Sequence, residues 1–241
     1  MKVQSARPWS VGVVIPARNE AATIGRCVES IIAAHENCGR PARLWIVVAA
    51  DACDDLTATV ARAALGSFGE VIECESRSSG TARRLGASAV MQHFRDASSP
   101  TIWLANTDAD SHVPSDWLKL HLDHADDGAT AVAGIVTLDS QGARTDVLRL
   151  HRETYELRSD GSHGHVHGAN LGVRADAYLD AGGWSHLRVA EDHCLWRRLR
   201  LRGWRLRSCV KSAVITSARL HGRAVGGFAD ALRRRVEPEH G

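Results

Sequence analysis

The feature that most constrains the fold is the alternation of short apolar runs with amphipathic segments through the first half of the chain. Each run is followed by polar residues and then by a stretch whose apolar residues recur at helical spacing, as Ile24, Cys27, Val28 and Ile31 do. Continuous apolar runs of this length are typical of strands buried on both faces. The runs cover residues 11–15, 43–49, 70–74 and 101–105.

This order of strand, helix and strand predicts an α/β fold, because parallel neighbours in a sheet need crossover connections. The second half is less regular, with further strands predicted at 130–138 and 210–217. The sequence therefore predicts a Rossmann-like mixed sheet centred on parallel strands, with helices on both faces. The helix after the third strand is expected to begin at a Ser79 cap and to carry Leu85, Ala89, Val90 and Phe94 on one face.

Polar segments follow the four predicted strands of the first half, at the edge where ligands of such sheets bind. They read PARNE, ADACDD, ESRSSGTARR and NTDAD. In the last of them, Asp108 and Asp110 can share a hard divalent cation with a diphosphate, because Mg²⁺ and Mn²⁺ prefer oxygen ligands. The alternative is a solvated turn in which Asp110 caps the next helix.

Several motifs, in the same order, resemble the family 2 glycosyltransferases of the GT-A fold over roughly residues 10 to 225. PARNE looks like that family's P-x-x-N-E turn, and the turn at Asp51 is similar to its base-recognition turn. SSGTARRLGA resembles its glycine and arginine segment, NTDAD its metal motif, and AGGW followed by AED its Glu-Asp motif. The resemblance implies one GT-A domain over 1–241, with a nucleotide-sugar-binding half (about 10–110), an acceptor-side half (about 111–225) and a basic tail (226–241).

The resemblance also implies roles for individual residues in binding a nucleotide-diphosphate sugar, with a UDP-sugar favoured. Glu20 would face the ribose, Asp51 would accept a hydrogen bond from the base, and Arg83 would approach the diphosphate. The implied donor-binding residues are Pro16, Ala17, Asn19, Glu20, Asp51, Gly80, Arg83, Asp108 and Ala109. Without the resemblance, Glu20 is equally a carboxylate complementing a helix dipole, and Arg83 a surface charge.

For the metal, Mn²⁺ or Mg²⁺, the resemblance implies Asp110 and Asp108 as ligands, with His221 after the last strand as a further candidate. Arg219 and Arg223 beside it could grip the diphosphate. The cation would neutralise charge on the leaving diphosphate.

On the acceptor side, the resemblance implies that Asp192 is the general base that deprotonates an acceptor hydroxyl, in a reaction that inverts the anomeric centre. Glu191 would support it, and His167 and Asn170 fall where the family places donor or acceptor contacts. The alternative is an ordinary pair of carboxylates at a helix N-terminus. Trp184, after the glycine pair, is a candidate acceptor contact.

Two other functions are compatible with these residues. A nucleotidyltransferase also uses a doubly wound sheet and acidic metal ligands, but it usually has a glycine-rich loop with a basic residue after the first strand, which IPARNEAATIG lacks. It would release pyrophosphate, whereas a glycosyltransferase releases a nucleoside diphosphate. A non-catalytic protein that binds sugar nucleotides would bind the donor without turnover.

The composition of the chain limits the classes of binding partner. A net charge of +2 gives no case for binding nucleic acid. Arginines concentrate at 197–207 and 233–235, either as a solvated helix face and tail or as a contact with phosphates or anionic lipid headgroups, so peripheral membrane contact is one expectation. No apolar run is long enough to span a bilayer, and the N-terminus lacks the apolar core of a signal peptide.

Cysteines and histidines complete the expectations. The six cysteines show no CxxC pair, which fits a reducing, cytoplasmic compartment. His163, His165 and His167 alternate in a glycine-rich segment, where they would be either a zinc cluster or, as is more common, solvated or substrate-contacting side chains. The sequence does not predict the oligomeric state.

Overall fold

The computed structural model describes residues 9–141, 143–153, 158, 162–220, 222 and 228–236. A seven-stranded sheet in the order β3-β2-β1-β4-β6-β5-β7 forms its centre. The strands are β1 (Trp9–Ala17), β2 (Ala42–Asp51), β3 (Gly69–Cys74), β4 (Ile102–Asn106), β5 (Ala131–Leu138), β6 (Leu171–Arg174) and β7 (Leu206–Thr216). The predicted mixed α/β sheet is confirmed.

The strands of the first half all run parallel, as the crossover argument requires. β1 pairs with β2 and β4, and β2 pairs with β3, all in parallel. β6 runs antiparallel to both β4 and β5, whereas β5 and β7 are again parallel. The carboxyl ends of β1, β2 and β4 therefore meet at one edge of the sheet, and the N-terminal end of β6 reaches the same edge.

Helices pack on both faces of the sheet. They are α1 (Ile24–Glu36), α2 (Thr57–Leu65), α3 (Ser79–His93), α4 (Trp117–Asp126), α5 (Thr145–Glu153), α6 (Ala175–Asp180), α7 (Glu191–Leu201) and α8 (Phe228–Val236). One buried apolar cluster covers α1 and α4 on one face, and a second covers α3, α6 and α7 on the other. No helix among the described residues is both long and apolar enough to cross a bilayer.

α3 differs from its sequence prediction in two respects. Its cap is Ser78, whose hydroxyl accepts a hydrogen bond from the backbone N–H of Thr81, and not Ser79. Val90 and Phe94 of the predicted apolar face are buried, whereas Leu85 is 41% exposed, so the prediction is wrong for Leu85. The helix instead turns Gly86 toward β1, where a Cβ would come within 2.6 Å of Val14 Cγ1. This close approach to β1 leaves no room for a leucine at that position.

The C-terminal segment that the sequence suggests as a basic tail contains α8. Ala229 and Leu232 on this helix are buried, and Leu232 packs in a small cluster with Leu138 and Val147. Arg233 is partly exposed and lies 3.8 Å from Asp230. The apolar side of this helix is thus part of the folded molecule, whereas some of its charged side chains remain at the surface.

Candidate functional site

A cleft of about 780 Å³ opens at the edge of the sheet where β1, β2 and β4 end. It lies between these strand ends, the N-termini of α3 and α7, and the segments that follow β7 and precede β6. The predicted site residues that line it are Pro16, Ala17, Glu20, Asp51, Arg83, Asp108, Ala109, Asp110, Glu191 and Asp192. Residues far apart in the sequence therefore meet in one cavity.

Asp110 lies at the floor of the cleft and is paired with Arg219. The Arg219 guanidinium contacts Glu20 Oε1 at 2.6 Å and Asp110 Oδ2 at 3.0 Å. Thr216 donates a hydrogen bond of 3.3 Å to the other Asp110 oxygen. Burial raises the pKa of Asp110 to about 6, a shift that the Arg219 cation opposes and the nearby Asp108 and Glu20 carboxylates reinforce. This floor therefore attracts cations.

Arg83 links the two acidic motifs of the cleft. Its buried guanidinium makes an ion pair with Asp108 and lies 3.5 Å from Glu191 Oε1, and it rests over the Trp184 ring at 5.4 Å. A Cβ on Gly168 would come within 2.6 Å of Arg83 Nη2, so a glycine is needed there to admit the arginine. Arg83 is thus a fixed buried cation and not the surface charge that the sequence left open.

Glu191 and Asp192 begin α7 and have different surroundings. Glu191 is buried, and it accepts a hydrogen bond of 2.9 Å from the Ser79 hydroxyl. Burial raises the pKa of Glu191, and Arg83 partly offsets the shift. Asp192 accepts backbone hydrogen bonds from Gly168 at 2.8 Å and His193 at 2.7 Å, which fix its carboxylate at the cleft wall.

Asp51 combines a structural contact with its place in the cleft. Its carboxylate accepts hydrogen bonds from the backbone N–H groups of Arg77 and Ser78, both at 2.8 Å, and from the Ser76 hydroxyl at 2.9 Å. These bonds shape the turn that leads into α3. An ionised carboxylate offers about four acceptor positions, so Asp51 keeps capacity for one further donor.

Asn19 and Gly80 are predicted site residues that do not line the cleft as described. Asn19 has φ of 54°, and its side-chain oxygen accepts the backbone N–H of Asp54 at 3.0 Å, so it holds the turn after β1 against the one after β2. Gly80 lets α3 approach the segment before α7, because a Cβ there would lie 2.1 Å from the Ser185 carbonyl oxygen. Both residues shape the walls of the cleft.

The remaining predicted contacts fall into three groups. His221 and Arg223 lie outside the described residues. Trp184 and Asn170 are buried, and Asn170 joins α4, β5 and β7 by accepting from Trp117 Nε1 and donating to the Ile135 and Ser212 carbonyls. His167 does line the cleft, and burial lowers its pKa to about 3.

The fit of a divalent cation follows from the chemistry of these donors. Among the residues that the structure describes, no three His, Cys, Asp or Glu side chains form a metal-binding group. Asp108 and Asp110 nevertheless present hard oxygen donors, and the Arg219 cation already sits against Asp110. Two carboxylates that leave positions for phosphate oxygens suit Mg²⁺ or Mn²⁺, which retain non-protein ligands in such sites.

Sequence reasoning missed several residues that line the cleft. They include Gly168, His151, Ala229 and Leu232. The Gly168 signal is its place in the GHVHGAN segment, where a glycine beside polar residues indicates close backbone approach. Ala229 and Leu232 of α8 are apolar residues three positions apart, as on one face of a helix, but the arginines that follow them made the segment look like a solvated tail.

Comparison with known proteins places this geometry in a family. The sequence model of the protein family described as "Glycosyltransferase like family 2" matches residues 8–236. No curated protein matches the chain. Among solved structures, S. aureus TarS 1–349 in complex with UDP is 16% identical with a TM-score of 0.64, and the match covers 86% of this chain and 60% of that one.

A second similar structure is the mannosyltransferase PcManGT from Pyrobaculum calidifontis, in complex with GDP-Man and Mn²⁺. It is 20% identical with a TM-score of 0.62, over 86% of this chain and 56% of that one. Our chain therefore spans less than two thirds of the length of either structure, and at these identities the likeness shows a shared GT-A fold. The family match covers nearly the whole sequence, and the chain belongs to the glycosyltransferase-like family 2.

Proposed function

We propose that this protein transfers a sugar from a nucleotide-diphosphate donor to an acceptor hydroxyl, with inversion at the anomeric carbon. The observation that carries the proposal is the meeting of two acidic motifs across Arg83 in one open cleft. One motif, at Asp108 and Asp110, suits a diphosphate with its cation. The other ends in Asp192, whose carboxylate is oriented from the opposite wall.

Asp192 is proposed as the general base. The backbone N–H groups of Gly168 and His193 occupy one lone-pair direction on each oxygen, so the carboxylate is oriented and keeps acceptor positions toward the cleft. An acceptor hydroxyl placed there would lose its proton to Asp192 as its oxygen attacks the anomeric carbon. Glu191 is more buried and engaged with Ser79, so it fits a positioning role toward Arg83.

The donor would lie along the ends of β1, β2 and β4. Asp51 keeps an acceptor position that suits an N–H of a base, with a UDP-sugar favoured, and Pro16, Ala17 and Glu20 line the adjoining part of the cleft. Mn²⁺ or Mg²⁺ bound by Asp110 and Asp108 would supply positive charge to the leaving diphosphate. Arg83 places a second, permanent positive charge beside Asp108.

Product analysis with matched variants tests this proposal. Asp192→Asn retains the shape of the side chain but removes its basicity, so we expect transfer to fall by a factor of about 10² to 10⁴ while donor binding persists. Asp110→Asn should instead weaken donor binding in the presence of Mn²⁺. Release of pyrophosphate from the donor, or wild-type transfer by Asp192→Asn, would rule the mechanism out.

Donor identity is measured by thermal unfolding with UDP, GDP and dTDP, each with and without Mn²⁺. A ligand that binds the folded state raises the unfolding temperature by mass action. We expect UDP with Mn²⁺ to give the largest increase, and Asp110→Asn to remove the part that depends on Mn²⁺. A larger increase with GDP would contradict the assignment of the base while leaving the transfer chemistry in place.

A further inference from the structure

A second cavity, of about 790 Å³, lies beside the edge strand β7. Its walls are the first residues of β7, the C-terminal part of α7, the end of α4 and the segment 162–165. The described residues that line it are His124, Asp127, Arg158, Ser162, His163, Gly164, His165, Trp196, Arg200, Trp204, Arg205, Leu206, Arg207 and Ser208. None of the predicted donor or metal residues contributes to it.

The cavity is strongly basic. Three exposed arginines line it: Arg200 on α7, Arg205 just before β7 and Arg207 on β7. Asp127 is the only acidic residue among the described lining residues. Within the part of the chain that the structure describes, no ion pair joins these three arginines to a carboxylate. Neighbouring Arg202, by contrast, pairs with Asp180 at 3.1 Å and does not line the cavity.

Two tryptophans give the cavity apolar faces. Trp196 and Trp204 line it beside the arginines, and Trp204 Nε1 is held by Asp180 at 2.8 Å. Flat, rigid aromatic faces offer contact area at little conformational cost, and a few polar groups then orient the ligand. The combination of arginines and tryptophans fits a saccharide that carries anionic groups.

The cavity adjoins the transfer cleft, because His165 lines both. We propose that this second cavity binds an anionic part of the acceptor, an oligosaccharide that carries phosphate, sulfate or carboxylate groups. The assignment as an acceptor site rests on the proposed transfer function, whereas the anionic saccharide site itself rests on the cavity. An acceptor seated there would extend past His165 toward Asp192.

Calorimetric titration tests the site without relying on turnover. The probe is maltotetraose phosphorylated at C6, with unmodified maltotetraose and a single-stranded DNA tetramer as alternatives, each titrated with and without UDP and Mn²⁺ to fill the transfer cleft. We expect the phosphorylated sugar to bind in both conditions. The variant Arg200→Gln with Arg207→Gln should weaken that binding at least about tenfold, because two charge-assisted hydrogen bonds are lost.

Arg197→Gln is the control, since it removes one positive charge from the exposed side of the same helix and Arg197 does not line the cavity. It should bind the phosphorylated sugar within about twofold of wild type. Equal binding by wild type and the double variant would overturn the proposal, as would absence of binding. Tighter, arginine-dependent binding of the DNA would overturn it in favour of a nucleic acid ligand.

The acceptor role is then measured separately, by transfer to phosphorylated and neutral oligosaccharides. A KM for the phosphorylated acceptor that rises at least about tenfold in the double variant supports it. If the phosphorylated sugar binds through these arginines but no sugar is transferred from any donor, the transfer function fails and the anion site stands. If transfer occurs and the arginines have no effect, the inference fails and the transfer function stands.

Discussion

At the scale of single residues, Arg219 has the largest consequence for the cleft. It follows β7, more than a hundred positions from Asp110, yet its guanidinium bridges Asp110 and Glu20. The sequence could not identify Glu20 or Asp110 as a partner of Arg219, because no local sequence pattern relates residues so far apart. The sequence did indicate Asp110 itself, because Asp108 and Asp110 follow a predicted strand at the edge of the sheet where ligands bind.

We expect Arg219→Ala to destabilise the ligand-free protein. Its loss leaves the carboxylates of Glu20, Asp108 and Asp110 facing the same space, and like charges repel. The cost should be about 1–2 kcal/mol, less than for a fully buried pair, because 30% of the Arg219 side chain is exposed. Denaturant unfolding without cations measures it.

The control for this prediction is Arg219→Lys, which keeps a positive charge near both carboxylates. It should retain more of the stability than Arg219→Ala does. Millimolar Mn²⁺ should stabilise Arg219→Ala more than wild type, since the cation then meets unneutralised carboxylates. A ligand-free Arg219→Ala variant as stable as wild type would show that the bridge contributes nothing.

At the scale of elements, the sequence predicted the strands and most helices because their apolar periodicity is strong. It was right for Val90 and Phe94 of α3 but wrong for Leu85, which points outward while Gly86 packs on β1. Amphipathic reasoning assigns large apolar residues to the inner face. At Gly86 the approach of α3 to β1 leaves no room for a side chain, whereas Val90 fits over Gly12, and this spacing is a property of the packed pair and not of the helix.

The packing of α3 makes Gly80 a sensitive position. A Cβ at Gly80 would lie 2.1 Å from the Ser185 carbonyl oxygen and 2.7 Å from that of Leu187, so Gly80→Ala must displace the helix from the segment before α7. We expect a loss of about 1–3 kcal/mol in unfolding free energy. Arg83 lies one turn further along, so donor affinity should fall as well.

Gly25→Ala is the comparison within another helix. Its added Cβ would lie 3.6 Å from Val60 Cγ1, which is an ordinary contact, and alanine has the higher helix propensity. This variant should match wild type or gain up to about 1 kcal/mol. Equal effects of the two substitutions would mean that the close approach at Gly80 is not what constrains α3.

At the scale of the whole molecule, the site could be predicted as a set of strand ends but not as a cavity. The edge at which β1, β2 and β4 end follows from parallel topology, and it located Asp51, Asp108 and Asp110 correctly at one edge. The contributions of α8 and of the segment before β6 depend on long-range packing. Sequence periodicity does not tell which segments distant in the sequence pack against one another.

Acid should destabilise the molecule through its buried histidines. Burial lowers the pKa of His121 to about 4, from an ordinary value of 6.5, between Trp103 and Trp117. Below pH 6.5 the unfolded chain binds a proton that folded His121 refuses, so stability is lost as the pH falls toward 4. We expect a lower unfolding free energy at pH 5 than at pH 7, measured by denaturant titration.

His121→Gln should reduce that pH dependence by up to about 1.4 kcal/mol for each pH unit in this window. The exposed His186 serves as the control, and His186→Gln should leave the slope unchanged. If His121→Gln and wild type lose the same free energy between pH 7 and pH 5, other buried groups such as His167 account for the acid response.

The antiparallel direction of β6 has a consequence for how such an enzyme could diversify. Because β6 runs against β4, the chain arrives at the edge that holds the cleft immediately before Leu171, and the stretch from Ser162 to Asn170 borders both cavities. Insertions or exchanges at residues 162–166 leave the parallel strands of the first half untouched, whereas Gly168 and Asn170 are constrained by Arg83, Asp192 and the core. If the proposed transfer is right, a new sugar acceptor would therefore require changes in one short passage of sequence, while the strand ends proposed to bind the donor remain as they are.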